Sequence, residues 1–257
     1  MIESPLWGVY SVWRRHALLY RRTWLVNFLP PMTEPLFYLM SFGFGLSPVL
    51  SGFHLQGHDI PYLKFISPAM IAVGVCFQSF FEGAYGTFIR LRFQQVWTAL
   101  LTAPISFGEI FVGDWLWAAT RGTLAGIITG LVTVAIGQVT ITALIGYLPL
   151  IILGSMVFGA VGMLVAGAVQ SVDQINVPVF LFIIPMFTLC GTFFPRENLP
   201  LWLRSITGAL PLANMIDLMR MPLGLKTNWP VELLSLTLWT GVAALGARHF
   251  IRPRVFR

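Results

Sequence analysis

The sequence predicts an all-α membrane protein. Its expected parts are six transmembrane helices, an N-terminal interfacial amphipathic helix, and a re-entrant outer helical hairpin before the last span. Three observations carry this expectation. First, 56% of the 257 residues are hydrophobic and only 10% are charged, too few for a polar exterior; the mean hydropathy is +0.78. Second, a spanning helix needs about 20 mostly apolar residues. Six stretches supply them: 24–46, 62–86, 110–136, 145–169, 177–194 and 231–250. In lipid, such helices satisfy their own backbone groups without a partner strand. Third, the cations cluster. Arg14, Arg15, Arg21 and Arg22 precede the first stretch, Arg90 and Arg92 follow the second, and Arg248 at the end of the sixth is followed by Arg252, Arg254 and Arg257. With six spans all three groups share one side, which the positive-inside rule makes the cytoplasm. Both termini are therefore expected inside. The net charge of +6 is explained this way, and no nucleic-acid partner is expected. Arg196, Arg204, Arg220 and Lys226 fall on the other side, so the rule holds on balance.

Little remains beyond the spans, so residues 1–257 read as one membrane domain. A cleavable signal peptide is not expected, because the first basic pair comes late and a small-residue cleavage site is missing. Cys76 and Cys190 both fall within spans and read as small apolar packing groups.

The elements follow in order. Residues 1–23 form the interfacial helix: Leu6, Val9, Trp13, Ala17 and Tyr20 recur at steps of three and four, and Trp24 continues the stripe. Aromatics of such a helix sit among headgroups, with arginines near anionic phosphates. The first span holds Pro30, Pro31 and Pro35, which predict a kink or break. Glu34 lies among them, and a mid-membrane carboxylate must face protein or water. Residues 47–61 read as an outer loop. His54 and His58 lie there at helical metal-ligand spacing, but Gly52 and Gly57 favour a plain loop. The second span ends near Glu82. Residues 87–109 then form a cytoplasmic segment with a short helix that Pro104 ends. Its apolar side chains Phe93, Val96 and Trp97, with Arg90 and Arg92, suit a docking element better than a free loop.

The third span carries Ala118, Gly122, Gly126 and Gly130 at intervals of four, a small-residue stripe for close helix packing. Asp114 and Arg121 share a face of that span, poised to pair with each other or with Glu82. Glu34, Glu82, Asp114 and Arg121 are thus the candidates for a pathway or gate. The fourth span is also glycine-rich. Residues 195–230 contain two amphipathic stripes, Leu199, Trp202, Leu203, Ile206 and Met215, Leu218, Met219, Leu223, divided by prolines. They predict a hairpin dipping into the outer leaflet.

Catalytic machinery is not apparent in the sequence. No GxxxxGK[ST] loop is present, and Leu225–Lys226–Thr227 is only a fragment of one on the wrong side. Neither a GxSxG elbow nor a paired His/Cys constellation occurs. No internal repeat of the kind built into many secondary transporters is evident. Transport powered by another subunit is the leading class. Two alternatives are a lipid-modifying membrane enzyme, with Glu34, Glu82 or Asp114 as acid or base, and a proton-coupled transporter using the same carboxylates.

The arrangement resembles the membrane subunits of ABC-2-type exporters. Residues 34–46 (EPLFYLMSFGFGL), 81–106 (FEGAYGTFIRLRFQQVWTALLTAPIS) and 191–200 (GTFFPRENLP) are similar to the nodulation protein J group, permeases for lipo-oligosaccharide export. The resemblance implies a homodimer in the bacterial inner membrane, joined to two copies of a separate ABC ATPase. It also implies that 87–109 docks in an ATPase groove. ATP-Mg would be held by that partner, with no cofactor on this chain. The implied cargo is amphipathic, a glycolipid or lipo-oligosaccharide; drugs, polyketides and polysaccharides are the alternatives.

Overall fold

A computed structural model describes residues 5–24, 33, 36–46 and 53–256. Beyond the short helical stretch 36–46, nine helices longer than four residues order the described chain. They are α1 (Pro5–Arg22), α2 (Tyr62–Arg92), α3 (Val96–Leu100), α4 (Phe107–Ala135), α5 (Ile141–Ala168), α6 (Asp173–Leu189), α7 (Leu201–Gly208), α8 (Pro211–Met219) and α9 (Trp229–Val255). A π-helical turn, Ser41–Leu46, precedes a two-stranded antiparallel hairpin of β1 (Phe53–Leu55) and β2 (His58–Ile60). That hairpin replaces the plain loop expected over 47–61. His54 faces Asp59 across the ladder at 2.7 Å, so the two histidines do not form the spacing-based pair.

Among the described residues, four helices are long and apolar enough to cross a membrane: α2, α4, α5 and α9. The chain is an all-helical integral membrane protein apart from the small hairpin. The predicted fifth span appears as α6, a shorter apolar helix with a π-turn at Val179–Ile183. The predicted first span, with Glu34 and its prolines, lies largely outside the described residues. Local chemistry explains the boundaries. Ser106 and Glu109 form a reciprocal capping box at the start of α4. Thr140 caps α5 by accepting from the Ala143 N–H. The second predicted span stops at Gly86, but α2 runs on to Arg92 through a π-turn at Glu82–Gly86. Burial of Phe88 and Leu91 holds that extension in helix.

The central helix is α2. Ile66, Ala69, Met70, Ala72, Val73, Val75, Cys76 and Phe80 are all fully enclosed, and α4, α5 and α8 pack around them. Cys76 and Cys190 are both free and buried. Close approaches rest on glycine. A Cβ on Gly83 would lie 2.5 Å from the carbonyl oxygen of Gly159, and one on Gly162 would strike the carbonyl oxygen of Phe80. Backbone thus meets backbone where α2 crosses α5, a contact that only glycine permits. The predicted stripe of α4 is used in the same way. Gly122 faces Ser79, Gly126 faces Val75 and Ile151, Gly130 faces Leu144, and Ala118 lies beside Gly159. All are contacts within the chain.

The predicted hairpin over 195–230 resolves into unequal halves. The second half, α8, is sunk in the bundle with Leu212, Ala213, Met215, Ile216 and Met219 enclosed. Its partner α7 leaves Leu201, Trp202 and Ile206 exposed.

Candidate functional site

At the Arg92 end of α2, three helices place their charges together. Glu82 sits at the start of the π-turn, and Arg90 lies eight residues on, near the end of α2. The Arg90 guanidinium reaches back to Glu82 Oε1 at 2.7 Å and across to Asp114 Oδ1 of α4 at 2.9 Å. Asp114 is 1% exposed and also receives Thr87 Oγ1 at 2.9 Å and His16 Nε2 of α1 at 2.9 Å. Glu82 in turn accepts from Trp117 Nε1 at 3.1 Å and pairs with Arg121 at 3.6 Å. Arg121 lies over the Tyr20 ring, 4.6 Å from its centroid. With its amide oxygen turned toward Arg121, Gln78 accepts from Arg121 Nε at 3.0 Å. Two carboxylates therefore meet two guanidiniums in a nearly dry pocket, where breaking one pair leaves a buried charge alone. The balanced set suits a joint between helices better than an acid or base.

Asp114 and Arg121 do not pair with each other. Each binds a different group of α2, so the network runs α1–α4–α2 rather than along α4. Sequence reasoning does not single out His16, Thr87, Trp117, Tyr20 or Gln78. A signal for His16 exists: Gly8, Val12 and His16 recur every four residues, and they form the buried line of α1. Val12 abuts Gly113, Gly8 abuts Glu109, and Trp13 Nε1 donates to Thr120 Oγ1 at 2.9 Å. Helix α1 is thus mounted on α4, with its arginines turned away. Arg15 is the partly buried exception. Burial lowers its pKa first, Arg90 lowers it further, and Asp114 opposes them.

Beyond this network the chain turns. Gln95 adopts a left-handed conformation (φ 49°) between α2 and α3. Trp97, on α3, is 1% exposed and packs in a second core with Val12, Leu91, Phe107, Ile110, Phe111, Met163, Ala247 and Ile251. Val96 is buried as well. Phe93 points the other way and is 69% exposed, flanked by exposed Arg92, Gln94 and Gln95. Of the five candidate docking residues, the structure leaves Arg92 and Phe93 on the surface. Arg90, Val96 and Trp97 are committed inside the chain. Glu34 lies outside the described residues, and no group of metal-ligating side chains occurs among those described.

The fold and site together define an integral membrane protein, a bundle of apolar helices whose one end carries a mounted, exposed turn. The profile of the family described as "ABC-2 type transporter" matches residues 8–223, and the chain belongs to that family. It is 34% identical to Nodulation protein J of Rhizobium meliloti (strain 1021) over 83% of this chain and 80% of that protein. Against Nodulation protein J of Neorhizobium galegae it is 34% identical over 85% and 82%. It is 26% identical to the Probable multidrug ABC transporter permease YbhR of Escherichia coli (strain K12), over 72% of this chain and 52% of that protein. The chain is a permease subunit of an ABC-type exporter. It is not itself an enzyme, and its ATPase is a separate subunit. The membrane-enzyme and proton-coupled alternatives are set aside.

Proposed function

We propose that the turn 92–95 is where the ATPase docks, and that the Glu82–Arg90–Asp114–Arg121 network carries its motion into the bundle. The carrying observation is the pairing of exposed Phe93 with buried Trp97 across one left-handed residue. A docking element needs an exposed anchor on a rigid mount, and this turn has both. Phe93 enters an apolar groove of the ATPase, and Arg92 meets its acidic rim. Truncating such a buried aromatic anchor costs about 2 kcal/mol or more. ATP-Mg is held by the partner.

The working unit is a homodimer with two ATPases in the bacterial inner membrane. Each protomer has six spans, with 24–46 as the first and α6 as the fifth, and both termini cytoplasmic. The tract 195–230 caps the outer side. Similarity to the nodulation protein J group supports an amphipathic cargo, a glycolipid or lipo-oligosaccharide. The test is co-purification of the ATPase with permease variants from detergent, normalised to permease. Phe93→Ala should lose most of the ATPase while remaining folded and inserted. Full ATPase retention by Phe93→Ala would overturn the docking assignment and make α1 the next candidate.

A further inference from the structure

The opposite end of the bundle holds a second polar assembly. From Glu82 back to Phe65 is 17 residues of α2, about 25 Å at 1.5 Å per residue. There a cavity of about 190 Å³ opens beside Phe65. Arg196, Arg204, Arg220 and Lys226 line it against Glu197, Asp217 and Glu232, an excess of one positive charge. Arg196 is paired with Asp217. Arg220 is 4% exposed and is paired with no carboxylate among the described residues. Its Nε donates to the Phe65 carbonyl at 3.2 Å and Nη2 to that of Thr192 at 3.4 Å, with the guanidinium 3.5 Å from the Phe65 ring centroid. Burial, and then the Arg196 charge, lowers its pKa. The β-hairpin forms the rim, because Gln56 accepts from the Lys226 N–H at 2.7 Å.

Buried side-chain polar atoms without a hydrogen bond gather in two places among the described residues. Arg90 Nε and Asp114 Oδ1 fall outside hydrogen-bond geometry but pair with each other by charge at 2.9 Å in the ion network, with Ser79 Oγ against Gly122 nearby. The other three are Thr192 Oγ1, Thr227 Oγ1 and Glu232 Oε2. Thr227 and Glu232 line the cavity, and Thr192 lies beside it through Arg220. Orphaned groups of this kind call for a partner. Glu232 Oε2 can only accept when ionised, the Arg220 guanidinium can only donate, and Thr227 can do either. An anion would meet Glu197 and Glu232, and a cation would meet Arg220. A neutral hydroxyl both donates and accepts, and several adjacent hydroxyls would satisfy these groups together. We infer that this cavity binds the hydroxyl groups of a carbohydrate.

The inference deepens the exporter reading, on which it rests for taking that sugar as part of the cargo. The test is saturation-transfer NMR on the permease–ATPase complex in nanodiscs, with maltotetraose, cellotetraose and inorganic phosphate as probes. A neutral oligosaccharide should show transfer. Thr227→Val and Glu232→Gln should each weaken it about tenfold, the loss of one hydrogen bond involving a charged or buried group. Both variants should melt at or above the wild-type temperature, since removing an orphaned buried group costs the fold nothing. A glucosyl-glycerolipid in the nanodisc that competes would identify a lipid-linked sugar; lack of competition would identify a soluble one. Transfer to phosphate alone, to no probe, or undiminished in both variants overturns the inference. ATPase co-purification with the same variants should stay at the wild-type level, so failure here leaves the docking assignment standing.

Discussion

Phe93 and Trp97 are four residues apart, a spacing that on one helix would put them on the same face. Sequence reasoning groups them because both are apolar in a connector too apolar for a free loop. The left-handed Gln95 resets the phase, so one side chain is exposed and the other enclosed. Such a conformation is uncommon outside glycine, and nothing in the string QQVW announces it. Trp97→Ala should therefore destabilise the permease by about 3–5 kcal/mol, whereas Phe93→Ala should stay within about 0.5 kcal/mol of wild type. Denaturant unfolding in detergent distinguishes them, and equal losses would show that both are core. The carboxylates were legible as candidates because charge inside an apolar run is costly. Their partners were not, because pairing across α1, α2 and α4 depends on tertiary register. Asp114→Ala strands Arg90 beside a single carboxylate, and about 3–5 kcal/mol should be lost. Glu82→Gln and Arg121→Gln share one ion pair. Their double variant should fall short of the summed single losses, as unfolding of the four proteins would reveal.

At the scale of elements, the four long spans could be read from length and hydropathy alone. The end of α2 could not, because an apolar helical tail and an apolar connector look alike until Phe88 and Leu91 find a core. Nor could the β-hairpin, whose three-residue strands are shorter than any periodicity can register. The glycines could be read as a packing stripe, but their partners could not. Gly162→Ala places a methyl against the Phe80 carbonyl, a rigid obstacle, and should cost about 1–3 kcal/mol. Gly241, within α9, meets nothing within 4 Å. Gly241→Ala should stabilise the protein by about 0.4–1 kcal/mol through the unfolded chain. Melting both variants beside wild type checks the pair; a Gly162→Ala protein as stable as Gly241→Ala would show that α2 and α5 can separate freely.

For the whole molecule, the small-residue stripe of α4 is taken up by packing inside one protomer. Gly126 touches Val75 and Ile151 of its own chain, so a homodimer must use other surfaces. Gly126→Cys should give no inter-protomer disulfide in oxidised membranes, even where native-membrane amine crosslinking yields dimers. A disulfide-linked dimer of that variant would place the stripe back at the interface. The sequence placed the class of molecule well, because composition, span length and cation clustering each constrain the whole chain. The joint between helices stayed hidden because it depends on contacts between residues as far apart as 16 and 114.

The contact of Gly83 with Gly159 and Gly162 brings α2 backbone to backbone with α5 at one point along its length. From there to Arg92 is nine residues, roughly 13 Å, and to Tyr62 is 21 residues, roughly 31 Å. Pivoting as a rigid body about the glycine crossing, the helix would be a lever with unequal arms. A push of about 1 Å on the short arm would swing the far end by somewhat more than about 2 Å at these lengths. Such gearing would favour reach over force: if the ATPase docks at the exposed turn, a small stroke there would become a wide one beside Phe65.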